Sequence, residues 1–178
     1  MKAFILFFSL LFFHACGSVY YNKLYDPLKD ESQKNKLAQM LYEVSGNMNQ
    51  SNELAFLAIK ESRALANEYN LTSPPLYHNF LVNSGLRKRG LCFHFVEDLM
   101  KKIKQHNFSA FDFRWGRANG NKLNEHNVIV VLGNKEQNFQ NGVILDAWRK
   151  SGELFFCKVK DDPKYHFIEW KEGDRRIK

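Results

Sequence analysis

The sequence predicts an α+β fold in which N-terminal helices pack on one face of an antiparallel sheet of about five strands. Apolar residues recur at helical spacing as far as Ile103, whereas from Ala110 onward they alternate with polar residues at a period of two. The links between the predicted strands are short and rich in glycine, asparagine and aspartate. Because the helices come first and the closely linked strands follow, we expect an antiparallel meander.

The first residues have the layout of an export signal. A basic start is followed by an almost wholly apolar run over residues 3–13, too short to span a bilayer, and small residues then surround Cys16. This stretch resembles a bacterial lipoprotein signal, although two positions of the lipobox differ. The resemblance implies a signal peptide at 1–15, a diacylated Cys16 and a lipid-anchored tether at 16–30. The alternative is cleavage after Ala15 without attachment of lipid.

The remaining residues, 31–178, are enough for one domain with a substantial core, and no repeat or low-complexity tract divides them. The chain carries a net charge of +7, and loss of Lys2 with the leader lowers it by one to +6. Such a charge could favour anionic lipid headgroups, cell-wall polymers or nucleic acid. Apart from three short clusters the basic residues are scattered, and no nucleic-acid recognition motif is present. We therefore expect a solvated basic surface and no nucleic-acid partner.

No motif for a metal or cofactor is found in the sequence. There is no zinc motif, P-loop or dinucleotide-binding fingerprint, and His78, His106 and His166 have no cysteine or carboxylate neighbours at metal-ligand spacing. We expect neither a metal nor a cofactor.

Two long helices are predicted first. The first ends before Gly46 and carries apolar residues at helical spacing: Leu37, Met40, Leu41 and Val44. The second has Ser51 as its predicted N-cap and stops near Asn70, and Pro74-Pro75 closes the segment. Residues 76–86 fit a short helix or turn whose apolar side is expected to comprise Tyr77, Phe80 and Leu81.

A further helix is predicted to begin at Cys92, directly after Arg89-Gly90-Leu91. Its apolar face comprises Cys92, Phe95, Val96, Leu99 and Ile103. The thiol is therefore expected to face the core. His94 lies two residues along this helix, where its side chain diverges from that of Cys92, and we expect it at the surface.

Cysteine, histidine and aspartate then occur in an order that suits nucleophilic catalysis. Cys92 opens a helix, His126 directly precedes an apolar candidate strand, and Asp146 lies within another. The five candidate strands span 111–115, 127–132, 143–148, 154–160 and 165–170. The thiolate is the reactive form of cysteine, and a helix N-terminus and a nearby imidazolium both favour it. The three residues are thus a candidate catalytic triad.

Strand register offers internal support for this triad. If the two strands pair antiparallel with Val128 opposite Ile144, then His126 lies opposite Asp146, because both pairs of numbers sum to the same value. Directly opposed residues have Cα atoms roughly 4.5–5.5 Å apart, close enough for a carboxylate to accept a ring N–H. This register therefore predicts a hydrogen-bonded His126–Asp146 pair.

Over about residues 76–170 the pattern resembles the transglutaminase-like branch of the papain-like cysteine enzymes. The likeness is carried by Gly90-Leu91-Cys92, by 125–131 and by Leu145-Asp146-Ala147-Trp148. It implies a transglutaminase-like core for 31–178, with Cys92 as nucleophile, His126 as general base and Asp146 as orienting acid. Two positions depart from the usual pattern: Asn127 and Ala147.

The function expected from these features is thioester-mediated amide hydrolysis or acyl transfer by a lipid-anchored protein of the bacterial cell envelope, facing the periplasm or the exterior. Its partners would be the membrane, through lipid on Cys16, and a protein or peptidoglycan peptide as substrate. The backbone N–H of Cys92 is the first candidate for the oxyanion donor, and the side-chain amide of Asn79 or Asn83 is a weaker second.

Other interpretations of the same residues stay open. In an oxidising compartment Cys92 and Cys157 could form a disulfide, although Cys157 lies mid-strand and fits a small buried hydrophobe. Asp146 could merely accept backbone N–H bonds in a turn. The whole protein could be a catalytically silent scaffold or binding module with the same fold, an alternative that a closed cleft would favour.

Overall fold

The computed structural model describes residues 27–136 and 138–171, which form four α-helices followed by a five-stranded antiparallel sheet. The helices are α1 (Pro27–Ser45), α2 (Met48–Glu68), α3 (Pro75–Asn83) and α4 (Cys92–Ile103). The strands are β1 (Phe111–Ala118), β2 (His126–Gly133), β3 (Val143–Lys150), β4 (Glu153–Lys158) and β5 (Ile168–Glu169). The predicted α+β order is confirmed. The predicted signal peptide, Cys16 and the tether as far as residue 26 lie outside the described residues.

The turn between α1 and α2 is shorter than the sequence suggested. Gly46 has a left-handed backbone, with φ of +68°, and Asn47 caps α2 by accepting the Gln50 N–H at 3.1 Å. The prediction of Ser51 as N-cap is therefore wrong. Ser51 is buried inside α2, and its hydroxyl donates to the Asn47 carbonyl at 2.7 Å.

Helix α3 forms where a short helix or turn was expected, but its buried side differs from the prediction. Leu81 is buried, whereas Tyr77 and Phe80 are 41% and 61% exposed. His78 is completely buried instead, because backbone groups satisfy both of its ring nitrogens. This polar residue, rather than the aromatic ones, fixes the rotation of α3.

The sheet has the strand order β4-β3-β2-β1-β5. Strands β1 to β4 form the predicted meander, but β5 pairs with β1 at the opposite edge instead of with β4. The expectation that all five strands form one meander is therefore wrong for β5. The segment between β4 and β5 crosses the sheet because its apolar side chains, Val159, Tyr165 and Phe167, are buried against the face that the helices leave open.

Two cores lie on the two faces of this sheet. The helices cover one face, in a core that includes Leu41, Leu54, Leu99, Ile129 and Leu145. The crossing segment covers the other face, in a core that includes Val128, Val130, Ile144, Tyr165 and Phe167. Alternation along β2 and β3 therefore decides which core each side chain enters. Within the described part of the chain, no helix combines the length and apolar character needed to cross a bilayer.

Candidate functional site

Cys92 is the first residue of α4, and its side chain enters the core on the helix side of the sheet. The buried face of α4 comprises the predicted residues, which are Cys92, Phe95, Val96, Leu99 and Ile103. This amphipathic face anchors the helix against β2 and β3. The thiol is therefore held at the N-terminal end of a helix, where backbone N–H groups and the helix dipole favour an anion.

The loop before Cys92 is held by His78. The Nε2 atom of His78 donates to the Arg89 carbonyl at 2.9 Å, and Nδ1 accepts the Thr72 N–H at 3.1 Å. Burial lowers the pKa of His78, which suits the neutral ring that this pair of bonds requires. Gly90 packs against the same ring: its φ is +121°, and an added Cβ would lie 2.2 Å from His78 Nε2. A larger residue at 90 would displace the entry to α4.

His94 contributes to the same helix end. Its Nδ1 atom accepts the N–H groups of Gly90 and Leu91, each at 3.2 Å. The ring, which was expected at the surface, is partly buried and caps α4.

His126 and Asp146 form a buried hydrogen-bonded pair. The Nε2 atom of His126 lies 2.6 Å from the Oδ2 atom of Asp146, and both side chains are at most 1% exposed. The imidazole is packed among three aromatic rings, with centroid distances of 4.9 Å to Trp148, 4.7 Å to Tyr165 and 5.8 Å to Phe167. The predicted contact is thus present and is buried from solvent.

The register that predicted this contact is wrong by two residues. Ile129 pairs with Leu145 and Val130 with Ile144, so Asp146 lies diagonally across from His126 rather than directly opposite. A shift of two leaves every side chain on its original face, because alternation along a strand has a period of two. The pair therefore survives the error.

Asp146 also organises an irregularity at the end of β3. Its Oδ1 atom accepts the backbone N–H groups of Trp148 and Arg149, at 3.2 and 3.0 Å, where the pairing of β3 with β4 shifts register. The alternative role foreseen for this aspartate, as an acceptor of backbone N–H bonds, is therefore present together with its bond to His126.

Arg149 ties Asp146 to a second buried carboxylate. Its Nε atom donates to Asp146 Oδ2 at 2.8 Å, and its two terminal nitrogens donate to Asp162 at 3.2 and 2.6 Å. The guanidinium also lies over the rings of Phe155 and Tyr165, 4.0 and 5.0 Å from their centroids. His126, Asp146, Arg149 and Asp162 form a chain of alternating charges, which we call the buried charge cluster.

Electrostatics within the buried charge cluster favour the ionised forms. Burial lowers the pKa of His126, but the charge and hydrogen bond of Asp146 and the nearby Cys92 side chain outweigh it and raise the pKa to about 9. Burial raises the pKa of Asp146, yet the charges and hydrogen bonds of His126 and Arg149 bring it below its ordinary value. At neutral pH the pair is therefore an imidazolium hydrogen-bonded to a carboxylate.

Cys92 and the His126–Asp146 pair approach each other from the two faces of the sheet. Strand alternation places His126 and Asp146 with the core under the crossing segment, whereas Cys92 lies in the core under the helices. They meet at the end of the sheet where β2 begins. The Cys92 sulfur lies 3.7 Å from the Nδ2 atom of Asn127, the residue after His126, and Cys92 lines one cavity with Asp146 and Trp148. The Nδ1 atom of His126 is buried and has no hydrogen-bond partner among the described residues, so this nitrogen can exchange a proton with the Cys92 thiol.

The site is closed. Cys92 is 8% exposed, and the cavity beside its thiol has no room for a water-sized molecule. Trp148 forms part of its wall, and the indole Nε1 donates to the Oδ1 atom of Asn79 at 3.0 Å. A substrate could reach the sulfur only after these walls move.

Cys157 is not bonded to Cys92, and both thiols are free in the structure. Cys157 is half-buried on β4 and packs against the core on the other face of the sheet, so the disulfide alternative is wrong. Burial and the nearby Asp162 charge raise the pKa of Cys157 to about 12. This cysteine is therefore a poor nucleophile at neutral pH.

The two candidate oxyanion side chains differ in position. Asn79 contacts Trp148 at the wall of the Cys92 cavity, whereas Asn83 is exposed at the end of α3. His106 lies near Glu53, with Nδ1 3.3 Å from Oε1, and His166 is exposed. Within residues 27–136 and 138–171, no group of three or more histidine, cysteine or carboxylate side chains is arranged to hold a metal ion.

Comparison with known proteins adds no assignment. No family model, characterised protein or solved structure matches this chain. The resemblance to transglutaminase-like enzymes therefore stays a prediction from the sequence.

Three residues of the site were not predicted from the sequence. Arg149 and Asp162 complete the buried charge cluster, and the side-chain nitrogen of Asn127 lies 3.7 Å from the Cys92 sulfur. In the sequence, Asn127 stands out only as a departure from the usual transglutaminase-like pattern. The one available signal was its position beside His126, which turns its side chain to the opposite face, toward the helix that carries Cys92.

Proposed function

We propose that the protein is a cysteine-dependent amide hydrolase or acyl transferase with Cys92 as nucleophile, His126 as proton carrier and Asp146 as the group that orients the imidazole. The observation that carries the proposal is the buried His126–Asp146 hydrogen bond, which leaves Nδ1 free beside a thiol at a helix N-terminus. A merely structural histidine would be expected to use both of its buried nitrogens, as His78 does.

The charge state of the site suits acylation of the thiol. Because His126 is protonated at neutral pH, the imidazolium stabilises a thiolate on Cys92. The thiolate attacks an amide carbonyl, a C–S bond forms, and the C–N bond breaks as His126 gives its Nδ1 proton to the leaving amine. The neutral imidazole then takes a proton from water or a second amine, whose attack on the thioester releases the product and restores the thiolate.

The developing oxyanion requires donors. The backbone N–H of Cys92 lies at the N-terminal end of α4 and is the first candidate for the oxyanion donor. Asn79 is favoured over Asn83 as the second, because Trp148 holds its Oδ1 atom and leaves its side-chain N–H groups for another acceptor.

We also propose that residues 31–178 form a transglutaminase-like core. A cysteine at the start of a buried helix, a histidine on one antiparallel strand and an aspartate on the next support a transglutaminase-like core. A protein or a peptidoglycan peptide is the proposed substrate, because both present amides in the bacterial cell envelope. Strand β5 pairs with β1, and the segment that leads to it packs Tyr165 and Phe167 against the His126 ring.

We place the protein in that compartment as a lipoprotein anchored through Cys16. Intact-mass spectrometry of the protein from bacterial membranes is expected to give the mass of a chain that begins at diacylated Cys16, and Cys16→Ala is expected to abolish processing. A mature chain that begins at Gly17, or an unmodified Cys16, would remove the anchor and leave the catalytic proposal intact.

Selective alkylation tests whether Cys92 is activated. At pH 7 iodoacetamide is expected to label Cys92 at least about tenfold faster than Cys157, since the thiolate is the reactive species and the pKa of Cys157 is raised. Peptide mass spectrometry after timed quenching measures both sites in one sample. Labelling of the denatured chain provides the reference rates, and an unchanged native rate at Cys92 in His126→Gln would contradict activation.

A catalytically silent binding module is the second candidate, and the closed cavity beside Cys92 favours it. Turnover of cell-wall peptides, or of protein glutamine and amide donors, distinguishes the two. Product formation that is lost in Cys92→Ala would support the enzyme. Selective alkylation without turnover of either substrate class would favour the binding module.

A further inference from the structure

We propose that Asn127 is a further catalytic residue, whose side-chain amide donates a hydrogen bond to the Cys92 thiolate. The inference rests on the proposed function, because it assigns a second group to the stabilisation of the same nucleophile. The resemblance implies no role for this residue.

The position of Asn127 follows from the pleat of β2. Its neighbour His126 faces the core under the crossing segment, so Asn127 faces the helices, where it is 7% exposed. Its Nδ2 atom lies 3.7 Å from the Cys92 sulfur and 3.4 Å from Glu125 Oε1. Consecutive residues of one strand thus approach Cys92 from opposite faces of the sheet.

Trp115 fixes the orientation of the Asn127 amide. Its indole Nε1 lies 2.7 Å from the oxygen of Asn127. Because an indole N–H can only donate, the atom that it contacts must be the amide oxygen, and the NH₂ group is left to face the sulfur. Trp115 is itself packed against Trp170, with ring centroids 5.1 Å apart. The amide is thereby presented to Cys92 as a donor before any substrate binds.

A neutral amide is well suited to stabilise the Cys92 thiolate beside His126. Hydrogen bonds to an ionised acceptor are stronger than those between neutral groups, so the amide favours the thiolate over the thiol. It contributes no positive charge and therefore does not compete with His126 for Asp146. The imidazolium and the amide would act together on one sulfur.

Asn127→Asp tests this role most directly. The carboxylate is nearly isosteric and still accepts the Trp115 N–H, but it cannot donate to sulfur and its charge opposes the thiolate. At pH 7 we expect alkylation of Cys92 by iodoacetamide to slow at least about tenfold, with the pH–rate profile displaced to higher pH. Asn127→Ala should slow the alkylation of Cys92 by a smaller factor. Trp115→Phe frees the amide to rotate and should slow alkylation no more than Asn127→Ala does.

Two measurements separate this role from a structural one. Urea unfolding of each variant reports its stability, and Asn134→Asp, at the exposed turn after β2, reports the effect of one added charge far from Cys92. If Asn127→Asp does not fold, Asn127→Ala decides the question. Wild-type rates and pH dependence in the Asn127 variants, with slowed labelling in His126→Gln, would overturn this inference alone. Wild-type labelling in His126→Gln would overturn the proposed function itself.

Discussion

Replacing His126 with glutamine is expected to slow the alkylation of Cys92 at pH 7 by at least about tenfold. The raised pKa of His126, about 9, keeps the ring protonated at this pH, and glutamine supplies no positive charge to the sulfur. Iodoacetamide labelling followed by peptide mass spectrometry measures the rate. Because His126 is not among the residues that line the cavity beside Cys92, we expect the substitution to leave access to the sulfur unchanged, and the ratio of the two rates then reports activation.

The effect of His126→Gln on the alkylation rate is expected to depend on pH. The rate difference between wild type and His126→Gln should be largest below pH 9 and shrink above it, where the imidazole of the wild type loses its proton. Asp146→Asn, which retains the side-chain shape but removes the charge, should give an intermediate rate. A His126→Gln protein that labels at the wild-type rate across this range would contradict the activation of Cys92.

The same pair also affects stability. Because the folded-state pKa of His126 is raised from the ordinary 6.5 to about 9, its contribution is complete below pH 6.5 and is lost as pH rises through 9. The shift corresponds to about 3 kcal/mol of unfolding free energy as an order of magnitude. Urea unfolding of the wild type should show this decline, and unfolding of His126→Gln should not.

Arg149→Met is expected to cause the largest loss of stability, about 3–5 kcal/mol. The substitution leaves Asp146 and Asp162 buried with only His126 to compensate two carboxylates, and both carboxylates are fully shielded from solvent. Urea or thermal unfolding at pH 7 measures the effect. Because the folded-state pKa values of both aspartates are lowered, the difference from wild type should shrink as pH falls below about 4 and the carboxylates become protonated.

Two further variants serve as controls for Arg149→Met. Arg114→Met removes ion pairs with Asp112 and Glu169 that are a quarter or more exposed, so it should cost less than about 1 kcal/mol. Arg149→Lys keeps the charge but cannot match the planar set of donors that reaches both carboxylates, and should lose an intermediate amount. Equal stability of Arg149→Met and Arg114→Met at pH 7 would show that the buried charge cluster adds little to the fold.

The sequence determined the features that depend on local periodicity. The start of α4 at Cys92 and the five residues of its buried face follow from helical spacing and from the glycine before it. The antiparallel pairing of β2 with β3, and the shared face of His126 and Asp146, follow from alternation at a period of two. Even the register error did not separate the pair, because a shift of two preserves the face.

Tertiary structure alone decided the features that depend on which distant groups are buried together. His78, not Tyr77 or Phe80, turned inward in α3 because distant backbone groups could satisfy its ring. Strand β5 crossed to the far edge because one sheet face needed an apolar cover.

The partners of the candidate triad were decided in the same way. Arg149 and Asp162 became part of the site because a local shift in strand register brought a guanidinium between two buried carboxylates. Asn127 came to face Cys92 only through the packing of α4 on β2. Periodicity specifies a face of a helix or strand, but hydrogen bonding and burial between distant segments select the atoms that meet there.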